Sequence, residues 1–72
     1  MDNKIFSNTN VNYMIYQVQM QFIPGSNIIW VAKINPEDPI YEYNNYDEAA
    51  VKAEELKSID TTGRDYRVFS IS

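Results

Sequence analysis

The chain has 72 residues, ten acidic side chains against six basic ones, and neither histidine nor cysteine. That length predicts one small domain, and the missing residue types exclude disulfides, thiolate zinc sites and any imidazole base. A hydrophobic fraction of 44% is too high for a disordered chain, so a folded core is expected.

Residues 1–11 are rich in asparagine and read as a flexible N-terminal arm on a single domain spanning 12–72. The first twelve residues hold no apolar stretch of the kind that drives secretion, and no apolar run anywhere reaches the roughly 20 residues that cross a bilayer. A cytoplasmic protein is expected. Over residues 12–23, Met14, Tyr16, Val18, Met20 and Phe22 alternate with Tyr13, Ile15, Gln17, Gln19 and Gln21, the period of a strand with its first set in the core. The glutamines then face water or a partner.

Pro24-Gly25-Ser26-Asn27 is a turn, and residues 28–34 return as a second strand, giving a hairpin. This strand is apolar on both faces, which suits a central position. Lys33 marks the Ile29/Val31 side as the outer one and leaves Trp30, Ala32 and Ile34 for the core. Asn35-Pro36-Glu37-Asp38-Pro39 makes another turn into a short third strand, 40–43, whose proline and charge mark an edge.

Asn45 caps a helix, with Glu48 three positions on and Lys57 in the last turn to match the helix dipole. Glu48 and Lys52 have i,i+4 spacing for an ion pair. Tyr46, Ala49, Ala50, Ala53 and Leu56 share one sector, and its alanines let the helix lie close on a sheet, with Trp30 supplying bulk. Asp60-Thr61-Thr62-Gly63 ends the helix, and residues 64–71 form a fourth strand. The predicted fold is α+β: a β-β-β-α-β domain with a mixed four-stranded sheet in the order 3-2-1-4 and the helix on one face. The right-handed crossover rule sets the last strand beside the first and parallel to it.

Charge is distributed unevenly. Residues 1–34 sum to +1 and residues 35–72 to −5, with seven acids between Glu37 and Glu55 facing only Lys52. An acidic chain is a poor general binder of phosphate backbones. Chemistry fails on supply: Glu37/Asp38 lie in a turn, Glu54/Glu55 diverge on the helix, and the Asp60–Asp65 segment has acids only at its ends around Arg64. Two glycines make no phosphate loop. No enzyme, metal site or cofactor is predicted.

Trp30-Val31-Ala32-Lys33-Ile34 and Asp47-Glu48-Ala49-Ala50 resemble the second strand and helix start of the plant ethylene-response-type domain. Three strands followed by a helix also resemble the arm-binding domain of phage-type integrases. Those resemblances imply a sheet-face DNA-binding domain. In size, motif-poor sequence and Asn/Ile/Tyr-rich composition the whole chain is similar to small bacteriophage accessory proteins, which implies binding that modulates a host or viral protein.

One helix covers one sheet face. The other is predicted to expose Tyr13, Ile15, Ile29 and Val31 among glutamines including Gln17, either as an interface or beneath the arm through Ile5 and Phe6. The leading expectation is a small acidic non-enzymatic protein-binding or regulatory module. It docks on another protein, or on itself as a homo-oligomer, through that face and through the acidic side formed by Glu37, Asp38, Asp47, Glu48, Glu54 and Glu55. A DNA binder and a self-associating structural protein are the alternatives.

Overall fold

A computed structural model describes residues 14–71. The expectations for the 1–11 arm and for Tyr13 lie outside the described residues. The predicted α+β class holds, with one helix against a four-stranded sheet. Its central strand, β1 (Ile15–Gln21), is shorter than the predicted 12–23; Val18 is fully buried and Met20 nearly so, as expected, but Phe22, expected in the core, lies beyond the strand and is 49% exposed. The strand ends at a tight turn in which the Ile23 carbonyl accepts the Ser26 N–H at 3.0 Å. Pro24 presets the first central position, and Gly25, at φ 86°, takes the second, where a left-handed backbone is required.

The second and third strands shrink to β2 (Trp30–Val31) and β3 (Glu42–Tyr43), and both pair antiparallel with the same edge of β1. Val31 opposes Met20, and Glu42 opposes Gln17. The central strand advances three residues between those pairs while its neighbour takes eleven, so the chain from 32 to 41 is an excursion carrying about eight extra residues out of one interrupted strand. The excess is even, so the side-chain faces stay in phase across the break.

This arrangement corrects the predicted order 3-2-1-4. The third strand does not turn back beside the second but continues in its direction, and the excursion between them contains a turn in which the Asn35 carbonyl accepts the Asp38 N–H. One reversal fewer inverts everything downstream. After the helix α1 (Tyr46–Ile59), β4 (Tyr66–Ile71) does lie beside β1 as expected, but antiparallel to it, in a six-pair ladder from Ile15–Ile71 to Met20–Tyr66. The sheet is therefore wholly antiparallel, not mixed. β3 and β4 are parallel to each other on opposite sides of β1.

The helix starts as predicted: the Asn45 side chain accepts the Glu48 N–H at 3.2 Å, and Asp47 and Glu48 lie in the positive first turn. Ala49 and Ala53 are buried on Val18, and Tyr16, Tyr41, Tyr43, Leu56, Tyr66 and Val68 pack around them. The bulk against the alanines is thus largely tyrosine, not Trp30. Tyr46 remains exposed at the rim, its ring edge-on to Tyr16 with centroids 5.7 Å apart. Lys52 pairs with Glu55 at 3.0 Å, on the C-terminal side of it, instead of the expected Glu48 on the N-terminal side.

Two side chains tie the C-terminal end of β1 to the loop before β4. Gln21, only 4% exposed, accepts the N–H groups of Gly25 (2.8 Å) and Asp65 (2.9 Å) and donates to Asn27 (2.9 Å). Its amide thereby serves backbone that the sheet cannot. This overturns the expectation that Gln21 faces water or a partner. Arg64 donates to the carbonyls of Gln21 and Phe22. The helix exit is closed by Asp60, whose carboxylate accepts the Thr62 hydroxyl and the Arg64 N–H.

Candidate functional site

In an antiparallel ladder, directly opposed residues share a face. Gln17 opposes Phe69 and Glu42, Gln19 opposes Arg67, Gln21 opposes Trp30, and Ile15 opposes Ile71. All of these lie on the face away from Val18 and the helix. Among the described residues no helix or strand covers that face, and only its Gln21 end is buried, by the loops that Gln21 bonds to.

At its centre, the Arg67 guanidinium is held between two rings, its carbon 4.5 Å from the Trp30 centroid and 5.1 Å from that of Phe69. Its Nε and one terminal nitrogen both donate to Gln19 Oε1, at 2.9 and 2.7 Å. Gln19 Nε2 donates to Gln17 Oε1 at 2.9 Å, and Gln17 Nε2 donates to Glu42 Oε2 at 2.7 Å. A line of hydrogen bonds thus crosses β4, β1 and β3, with a cation at one end and an anion at the other. Those end charges orient both amides, because each carbonyl oxygen must point to the cation and each NH2 to the anion. Phe69 is 44% exposed beside this line. The result is an aromatic surface framed by amides of fixed orientation.

The predicted site residues divide between two sides of the molecule. Ile15 and Gln17 are on the uncovered face as expected. Val31 is not: it opposes Met20 on the helix side, and Ile29, whose carbonyl accepts the Phe22 N–H, has the same parity but is exposed, as expected. Trp30, expected in the core, takes their place. A strand apolar on both faces has no alternation from which to read its orientation, and Lys33 marks neither face. It lies in the excursion, its ammonium on the Pro36 carbonyl at 3.0 Å.

The acidic residues lie on two elements, the excursion and the helix. Asp38 accepts the Asn35 N–H at 2.9 Å within the excursion, near Glu37, and Glu55 is paired with Lys52. Asp47, Glu48 and Glu54 are exposed on the helix, on the opposite side of the sheet from Gln17. Gln19 was expected on the outer face, while Arg67, Phe69, Glu42 and Ile71 escaped the sequence reading. Their signal was the alternation Arg67, Phe69, Ile71 against Tyr66, Val68, Ser70, with arginine marking the outer set.

A cleft of about 270 Å³ opens between the excursion and the helix, with Met20, Tyr41, Leu56 and Tyr66 among its walls and Lys33 and Arg64 beside them. Burial pushes the Tyr66 hydroxyl pKa up. Among the described residues no three acidic side chains converge as a metal site requires, and no helix is long and apolar enough to cross a membrane. Comparison with protein-family models, curated proteins and solved structures finds no match to this chain.

Proposed function

We propose that this protein is a non-enzymatic binding or regulatory module that docks another protein on its uncovered sheet face. The observation that carries this reading is the Trp30–Arg67–Phe69 stack at the centre of that face. Tryptophan, arginine and large aromatics dominate the energetics of protein interfaces, especially where surrounding groups hold them in place before binding. The line from Arg67 through Gln19 and Gln17 to Glu42 supplies that support. The non-enzymatic part is supported by the sequence, which contains neither histidine nor cysteine. A chain without cysteine is compatible with the reducing cytoplasm, and the proposal places it there.

The test compares proteins retained by the immobilised wild type with those retained by Phe69→Asp, whose side chain is exposed and outside the buried cluster. A partner held by the wild type, lost by a variant of unchanged far-UV circular dichroism, is the expected result. Equal retention by both, or by neither, would overturn docking at this face.

A further inference from the structure

The two edges of the sheet are unlike. One is broken into β2 and β3 by an excursion containing Pro36 and Pro39, a form that resists pairing with another strand. The other is β4, six residues without proline or glycine and rich in strand-favouring side chains. Among the described residues nothing pairs with its outer side.

Backbone direction alternates along β4. The Asp65 carbonyl accepts the Gln21 N–H, so the odd-numbered residues aim their backbone groups at β1 and Tyr66, Val68 and Ser70 aim theirs outward. The Tyr66 N–H is already taken, donated to the Asp65 carboxylate at 2.9 Å. Val68 and Ser70 therefore present an outward row of two N–H and two C=O groups.

We infer that β4 pairs antiparallel with β4 of a second copy of this chain, about a two-fold axis at Phe69. In that register Val68 exchanges both hydrogen bonds with Ser70 of the other copy, and Ser70 does the same with Val68. The capped Tyr66 N–H is not needed. A register centred on Val68 would ask that N–H for a bond, and so is disfavoured. Centring on Phe69 also sets the two exposed Phe69 rings opposite one another at a close, non-hydrogen-bonded position, where aromatic cross-strand pairs are favourable. Each Arg67 then faces Ile71 of the other copy, so no like charges oppose. The two stacks join into one ladder, Trp30–Arg67–Phe69 followed by its symmetry mate. The contact is isologous and closed, giving a dimer with a continuous eight-stranded sheet and not a fibre. It uses the edge of β4, so it stands independently of what docks on the face.

The absence of native cysteine makes the test direct. Phe69→Cys places two thiols at opposed positions with Cα atoms about 4.5 Å apart, within disulfide reach. Arg67→Cys places them four residues out of register, roughly 14 Å apart and beyond it. Under mild oxidation Phe69→Cys is expected to give a covalent dimer on a non-reducing gel and Arg67→Cys to remain monomeric. Sedimentation of the wild type is expected to show a monomer–dimer equilibrium, and Ser70→Pro to weaken it by at least roughly tenfold through the loss of two symmetry-related hydrogen bonds. A wild-type chain that stays monomeric to millimolar concentration overturns the inference. So does cross-linking of both cysteine variants at equal rates.

Discussion

The Arg67 guanidinium lies 4.5 Å from the Trp30 ring centroid, across the full width of the sheet from β4 to β2, with the Gln19 amide beneath it. The two residues are 37 positions apart and meet only because β1 brings both edges together. Replacing Arg67 by methionine retains much of the stem but removes the stacked cation and the bonds to Gln19. Unfolding in urea is expected to show a loss of about 1–2 kcal/mol, with unchanged far-UV circular dichroism and a shifted Trp30 emission. In a double-mutant cycle with Glu42→Gln, the two changes are expected to couple by roughly 0.5 kcal/mol through the intervening amides. Strict additivity would show that the two ends do not communicate.

Gln21 is a buried amide with backbone partners on both sides. Gln21→Ala removes the acceptor for the Gly25 and Asp65 N–H groups. A destabilisation of about 1–3 kcal/mol is expected, together with faster hydrogen exchange at those two amides. Exchange rates equal to those of the wild type would refute the role.

Ala49 is fully buried where the helix crosses Val18. Ala49→Leu inserts bulk at that contact and should cost about 1–3 kcal/mol, a large part of the stability of so small a domain. The same change at Val51, which is exposed, should shift the urea midpoint little.

Acid should destabilise the fold in a defined window. The Lys57 ammonium, 3.0 Å from Asp65, holds the Asp65 carboxyl below its ordinary range, helped by the Tyr66 N–H. At Asp60, desolvation pushes the other way but is outweighed by the Thr62 hydroxyl and the N–H groups of Arg64 and Thr62, so its pKa is also lowered. Groups with a depressed folded pKa stabilise above the unfolded value, near 4, and lose that contribution as pH falls through the folded value. The thermal midpoint should therefore hold to about pH 5 and decline below pH 4. Asp65→Asn should flatten that decline, and an unchanged acid limb would count against the pairing.

Much of the chain is legible without coordinates. The Asn45 cap, the alanines of α1 and the Val18–Met20 core positions follow from local chemistry and from periods of two and 3.6. The site was legible only where alternation was unambiguous, as at Ile15 and Gln17. Trp30 was misplaced because both faces of its strand are apolar, so orientation came from register with Gln21 and not from pattern. Phe69 and Arg67 became visible as a site only once β4 was antiparallel to β1 and in phase with Gln17 and Gln19.

The period-two alternation of β1 and the capped, alanine-rich period of α1 determined by themselves that the fold is α+β. They also located the helix and its cap, because those depend on residues within one turn of each other. Tertiary structure decided the direction of β4, the face of Trp30 and the union of Arg67, Gln19, Gln17 and Glu42 into one line. The direction of β4 and the place of Glu42 in that line depend on whether the chain reverses between β2 and β3, whereas the face of Trp30 follows from its register with Gln21. That reversal is a balance between pairing with β2 and pairing with β1, which no local pattern of side chains encodes.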